Sequence, residues 1–239
     1  MLLLPLLSTV LELLKKEITG TDEAIIHRRV QEAYLGFFTA LMNANLEGVF
    51  ISERNKPQFE NVLQSLVSMS EDISDVGSQR LAFAFFGKSV IAWATSATAV
   101  SQPSVFAESA KSMHSIKVAA GVAAPSNQHT ISKEERATMA LPGYETFIYQ
   151  TLVPTIFNVA ADPKFNVKQS LQVLYEMAAV LRNVVTARGQ EGIDFLLGDM
   201  LPKIGCPPDM AQQLIERLRT QPARDFRKTY ADFIKAMRS

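Results

Sequence analysis

The sequence predicts an all-α protein whose helices stack as a repeat solenoid, and three observations carry that prediction. The stretch from Asn166 to Leu218 reads as long helix, tight turn, short helix, proline-marked turn and helix again. Strand signals are nearly absent, with no sustained period-two alternation and no Asn-Gly or Asp-Gly hairpin turn. The length of 239 residues is long for one compact helical core but suits roughly five helical pairs at about 40–47 residues each, the repeat size of an α-solenoid of HEAT type. Lys and Arg number 24 and so do Asp and Glu, so no global polycation advertises nucleic acid. The single cysteine, Cys206, excludes an internal disulfide framework and fits a reducing compartment. The expectation is a soluble intracellular chain.

Each element of the organising stretch has a local reason. From Val167 to Arg188, Leu171, Leu174, Ala178, Leu181 and Val185 recur at helical spacing. Val173, Met177, Val180 and Val184 widen that stripe to nearly half the circumference, too wide to bury against a single partner. Gly189 is expected to stop the helix, because glycine takes the left-handed backbone conformation without steric cost. The next apolar segment runs from Ile193 to Leu201 and ends at Pro202. Another begins after Pro207-Pro208, with Met210, Leu214 and Leu218 on its face.

Met1 to Ile18 lacks the basic leader of a signal peptide, and its apolar part is too short to span a bilayer. As a helix, Leu3, Leu6, Leu7, Val10, Leu11, Leu14 and Ile18 cover slightly more than half its surface. A terminal repeat should present a polar outer face; this helix wants neighbours on two sides, which predicts further repeats upstream. Asp22 to Asn43 is the next helix, with Thr21 as N-cap and Ile26, Val30, Tyr34, Phe37 and Leu41 facing the core. Pro57 suits a helix start, followed by Phe59, Val62, Leu63, Leu66 and Met69 on one side. Ser74-Asp75 caps a helix with Leu81, Phe85, Phe86, Val90, Trp93 and Ala97 on a wide face, the tryptophan read as core filler.

The rhythm breaks across residues 99–141, which are rich in Ala, Ser, Gln and Pro. Pro103, Pro125 and Pro142 punctuate the region, and Ser132 to Glu135 form a capping box that supports a short helix into Leu141. This is expected to be a partly helical insertion between repeats at 1–98 and repeats at 142–239. Tyr144 to Ala160 resumes the solenoid, with Val153-Pro154 kinking or splitting the helix, and Thr220 to Arg238 closes it.

That closing helix carries the clearest chemistry. Phe226, Tyr230, Phe233 and Met237 fall on one face, with Arg224, Arg227, Lys228, Lys235 and Arg238 opposite. From Leu201 onward eight basic residues (Lys203, Arg217, Arg219, Arg224, Arg227, Lys228, Lys235, Arg238) meet four acidic ones, and Arg188 adds charge upstream, so the neutral whole hides a basic end. Lys and Arg spaced along a concave surface can bind phosphates without reading sequence. An ordinary solvated face is the alternative reading. A weaker basic spot combines Lys15, Lys16, Arg28 and Arg29.

No catalytic constellation emerges. His27, His114 and His129 do not pair with Cys206 or carboxylates at metal-ligand spacing. There is no glycine-rich phosphate loop and no nucleophile elbow. Cys206, in a turn between a glycine and a proline pair, reads as a structural thiol. No enzymatic activity and no metal or cofactor is expected.

Gln31-Glu32-Ala33-Tyr34 with Phe37-Phe38, then Phe147-Ile148-Tyr149 with Val153-Pro154, Arg188-Gly189 with Glu191, Leu201-Pro202, Pro208 and the Phe226-to-Met237 helix resemble, in order and spacing, the C-terminal portion of the exportin-T family, the tRNA exportins of the importin-β (karyopherin) group. The resemblance covers most of the chain and is poorest across 99–141. It implies a HEAT superhelix acting as a nuclear export receptor: it binds tRNA by backbone and shape together with Ran-GTP, contacts nuclear pore proteins, and releases tRNA in the cytoplasm. It also implies shuttling between nucleus and cytoplasm, with Ran-GTP held mainly by repeats N-terminal to this portion. It carries no individual contact residue, so the candidate site is nominated from charge and helical phase. The alternative is another HEAT-repeat karyopherin or scaffold that binds protein cargo only.

Overall fold

The computed structural model of the protein describes residues 3–53, 55–94 and 141–238. Among these residues the secondary structure is helical, without a strand. Helices α1 (Leu3–Lys15) and α2 (Thr21–Asn43) pack on each other, and a 3-10 turn (Glu47–Val49) leads to α3 (Lys56–Glu71) and α4 (Val76–Trp93). Pro57 sits in the first turn of α3, and Asp75 caps α4 by accepting from the Ser78 N–H at 3.1 Å. Beyond residue 141 come α5 (Tyr144–Phe147), a π-helical turn (Ile148–Leu152), α6 (Val153–Ala161) and α7 (Leu171–Arg188). Then follow α8 (Gln190–Phe195), a second π-helical turn (Leu196–Met200), α9 (Leu201–Lys203), α10 (Pro208–Thr220) and α11 (Ala223–Met237).

Helix α7 is the spine. Val173, Leu174, Met177, Ala178, Val180, Leu181, Val184 and Val185 are all buried on it. The stripe is wide because α7 packs against α4 and also against α11. Asn183 on α7 donates to the Gly87 carbonyl of α4 at 2.6 Å, and the Val180 side chain would lie 3.8 Å from a Cβ added at Gly87. Next to this seam, α2, α3, α4 and α5 share an aromatic core. Trp93, 1% exposed, meets Phe50, Phe59, Phe85 and Tyr144 with ring centroids 5.1–6.0 Å apart and planes steeply inclined. Edge-to-face contact lets the positive rim of one ring meet the negative face of the next. The tryptophan is core, as its sequence context predicts.

Several local expectations are corrected. Pro154 does not split its helix and Pro202 does not end its own: α5 to α6 and α8 to α9 run on through a π turn that ends two residues before each proline. A proline ring clashes with the carbonyl four residues back and removes that hydrogen bond. The wider π turn shifts bonding to the fifth residue and makes room. The N-cap of α2 is Gly20, in extended conformation, not Thr21. Glu23 reaches back instead, accepting from the Thr19 N–H at 2.8 Å and its hydroxyl at 2.7 Å. On α2 the buried face is Tyr34, Leu35, Phe38 and Met42, while Ile26 is 60% exposed and Phe37 and Leu41 are half-buried. Helix α7 starts at Leu171 rather than Val167, because residues before it form turns in which Asn166 Oδ1 accepts from the Lys168 and Gln169 N–H groups. Thr220 ends α10 instead of opening α11, since Gln221 is extended and Pro222 follows. Gly189 does have positive φ, at 60° with ψ −130°, a pairing open only to glycine, and α8 restarts at once.

Ala97, Pro103, Pro125, the Ser132–Glu135 box, His114 and His129 lie outside the described residues, as does all of 99–141 except Leu141. Leu141 N–H donates to the Trp93 carbonyl at 3.0 Å, so the chain leaves α4 and returns one hydrogen bond away. On α1, Leu7 and Leu11 are buried while Leu6 and Leu13 are each 50% exposed. With Ile18, Ile25 and Ile26 also exposed, the first helical pair keeps a second apolar side facing outward.

Candidate nucleic-acid interface

The basic end of the chain is built by α10 and α11. Pro208 opens α10, where its missing N–H costs nothing, and Ala211, Leu214, Ile215 and Leu218 bury one face. Helix α11 buries Phe226, Tyr230, Ala231, Phe233 and Ile234. Asp225 in its first turn and Lys235 in its last complement the helix dipole. The predicted apolar face is therefore the packed one, with Met237 half-buried at its edge.

What remains exposed on α11 sorts by phase. At 3.6 residues per turn, Arg224, Lys228 and Lys235 fall within about 40° of each other, and the 1.5 Å rise spaces them by about 6 and about 10 Å along the axis. All three are exposed. Asp225 and Asp232 run beside this strip. Lys235 Nζ donates to Asp232 Oδ1 at 2.9 Å, with both side chains more than half exposed. Such a pair is worth little in water and yields readily to a stronger anion.

The other nominated residues divide into three groups. Lys203, at the end of α9, and Arg217 and Arg219 on α10 are exposed, but Arg217 and Arg219 sit on opposite flanks of their helix, about 160° apart. Arg227 is half-buried beside the packed face. Arg188 and Arg238 serve the fold. Arg188 donates to both Glu191 carboxylate oxygens at 2.9 and 2.6 Å, and to the Ala94 carbonyl at 3.3 Å. Arg238 donates to the carbonyls of Ala160, Asp162, Pro163 and Phe165 at 2.7–3.3 Å. At the far end of the molecule Lys15, Lys16, Arg28 and Arg29 are exposed, Arg28 lying 3.9 Å from Asp75.

Two residues that sequence reasoning missed matter for this end. Arg182, the one polar side chain among the buried residues of α7, is 8% exposed and donates to the Gln221 carbonyl at 2.6 Å. Burial presses its pKa below the usual guanidinium value. Thr229 donates to Gln221 Oε1 at 2.7 Å, so the α10–α11 turn is gripped from two sides. The signal was an arginine inside the apolar stripe of α7, since a charge at such a position must find a partner there.

Chemically, this end offers cations at helical spacing over a packed floor, which suits phosphate groups and supplies no base readout. Among the described residues no group of three or more His, Cys, Asp and Glu is placed to hold a metal ion, and no helix is long and apolar enough to cross a membrane. A cleft of about 400 Å³ beside α6 and α11 is lined by Phe157, Ile204, Ile234, Met237 and Arg238, and one of about 680 Å³ lies between α3 and α5. Among the described residues the first lining carries no carboxylate, and the second carries one, Glu60, beside hydroxyls such as that of Ser68. Cys206 is 7% exposed, and burial raises its thiol pKa, so it is held as the inert thiol.

Comparison with known proteins places these features in a family. The family model for Exportin-T matches residues 1–238. The chain is similar to Exportin-T of Coprinopsis cinerea, with 37% identity over 240 residues. It is also similar to Exportin-T of Laccaria bicolor at 32% and of Mycosarcoma maydis at 34%. These alignments cover 100%, 98% and 99% of the chain but 19%, 19% and 18% of the respective relatives. The chain thus spans about a fifth of the length of the curated relatives it matches.

Proposed function

This chain belongs to the Exportin-T family, and from that premise we propose that it is part of a nuclear export receptor for tRNA. The whole receptor binds tRNA in the nucleus together with Ran-GTP, passes the pore by contacts with nuclear pore proteins, and releases tRNA in the cytoplasm. Residues 1–238 form the C-terminal arch, contacting RNA through phosphates and shape, as structured RNA is mostly recognised. Ran-GTP is held mainly by repeats outside this chain. The family match along the whole chain carries the reading, and the exposed Arg224, Lys228 and Lys235 strip supports the RNA side. Lys203, Arg217, Arg219 and Arg227 extend the surface, with Lys15, Lys16, Arg28 and Arg29 a secondary patch. The apolar side of α1 and α2 suits the stacking of neighbouring repeats, and the hydrogen bond between Trp93 and Leu141 supports reading 99–141 as an insertion.

The test is fluorescence anisotropy of labelled tRNA against the intact protein, with and without Ran-GTP, repeated with Arg224, Lys228 and Lys235 changed to Glu. The expected result is Ran-dependent binding that the triple change weakens, with a salt dependence shallower by about 0.7 per lost phosphate contact. Ran-dependent binding untouched by the change would keep the function and discard the site. No tRNA binding under either condition would favour a scaffold for protein cargo.

A further inference from the structure

Helix α11 is fastened at both ends by arginine side chains that reach backbone carbonyls. Ahead of its first turn, Arg182 from α7 holds the Gln221 carbonyl at 2.6 Å, and Thr229 holds the Gln221 side chain at 2.7 Å. Past its last turn, the Arg238 guanidinium covers the C-terminus of α6. One terminal nitrogen serves Ala160 at 3.3 Å and Phe165 at 2.7 Å; the other serves Asp162 at 3.0 Å and Pro163 at 3.3 Å. The last carbonyls of a helix have no intrahelical partner and carry the negative end of its dipole. A planar fork of N–H groups serves the Ala160 carbonyl of α6 together with those of Asp162, Pro163 and Phe165 in the turn that follows, which a lysine ammonium on its flexible stem does not reproduce. A guanidinium has five N–H donors, and these four contacts leave too few for a bidentate grip on phosphate. Among the described residues no carboxylate lies within ion-pair distance of Arg238. Its charge is therefore committed to the α6 terminus.

Between the two clamps stands the Arg224, Lys228 and Lys235 strip. We propose that Arg238, with Arg182 at the other end, is a positioning residue that fixes α11 against α6 and α7, so that the strip meets RNA phosphates at a preset spacing. This rests on the RNA-binding reading above. Phosphate binding by long flexible side chains is limited by the cost of ordering them, and a helix already locked in place lowers that cost.

Arg238→Lys separates the two roles, because it keeps the charge and removes the fork. A phosphate contact tolerates lysine, whereas the clamp does not. The intact protein is compared with its Arg238→Lys, Arg238→Ala and Lys228→Gln variants by hydrogen exchange and by tRNA anisotropy across salt. For both Arg238 variants the expected result is α11 amide exchange faster by about tenfold, and tRNA affinity lower by about three- to tenfold, with the salt slope held. Lys228→Gln should leave exchange unchanged and make the slope shallower by about 0.7. Arg238→Lys with wild-type exchange and affinity would overturn the proposal. So would Arg238→Ala with unchanged exchange and a shallower slope, which would make Arg238 a phosphate contact. A wild-type protein that binds no tRNA would overturn the RNA role together with the reading it rests on, while the exchange data would still decide whether Arg238 holds the helix.

Discussion

Ser89 and Tyr144 should not cost the same to remove, although they share one hydrogen bond. The two hydroxyls lie 2.6 Å apart, linking α4 to α5, and both residues are almost wholly buried. Ser89 Oγ also donates to the Phe86 carbonyl at 3.0 Å. The arrangement that uses every partner has Tyr144 donating to Ser89 and Ser89 donating to Phe86. Tyr144→Phe then leaves Ser89 satisfied and loses one net hydrogen bond, about 0.5–1.5 kcal/mol. Ser89→Ala strands a fully buried phenol, at about 1–3 kcal/mol, offset by roughly 0.5 kcal/mol of helix propensity. The double variant should resemble Tyr144→Phe alone, because no polar group is left unpaired. Urea unfolding followed by far-UV circular dichroism measures all four proteins. Equal slopes with midpoints in the order wild type, Tyr144→Phe, Ser89→Ala are expected. A Ser89→Ala protein no less stable than Tyr144→Phe would refute the reasoning, and with it the claim that this contact closes the seam between α4 and α5.

Two further outcomes are expected. Burial pushes the Tyr34 phenol up to about 12 despite its bond to Ser65; an unfolded phenol titrates near 10. The folded state therefore holds the proton longer, and stability intact below about pH 10 should fall by roughly 2–3 kcal/mol as pH rises through about 12; Tyr34→Phe should flatten that decline in urea midpoints, and an unaltered slope would place the alkaline loss elsewhere. Replacing residues 95–140 by a four-residue Gly/Ser linker should preserve cooperative unfolding, because Leu141 N–H and the Trp93 carbonyl are already 3.0 Å apart. Shorter loop closure should raise stability by about 1–2 kcal/mol, and loss of the cooperative transition would show that the spliced segment is part of the core.

Much of the architecture was legible because it rests on short-range rules. The α7 stripe, the Asp75 cap, Pro57 and Pro208 at helix starts and Gly189 at a helix end all follow from residues within one or two turns of each other. The buried face of α11 was readable for the same reason: Phe226, Tyr230 and Phe233 sit where a single packed side requires them. The candidate site was legible as composition, a basic end on a neutral chain, but not as geometry. Arg188 and Arg238 look like surface cations until their carbonyl partners are known, and those carbonyls lie 94 and 73–78 residues away, although Glu191, which also holds Arg188, is only three residues on.

The sequence by itself therefore determined the class, the repeat rhythm, some helix boundaries such as those at Pro57, Asp75 and Gly189, and the family. The tertiary structure decided which side of each wide apolar helix is buried, as on α2, where Leu35 and Phe38 rather than Ile26 face the core. It decided that helices pass through Pro154 and Pro202 on π turns. It also decided which arginines are spent on carbonyls and which stay exposed. The physical reason is one of range. Propensity, capping and periodicity act within a few residues, whereas the direction of a half-apolar helix and the partner of a guanidinium depend on neighbours that the chain brings close only when it folds.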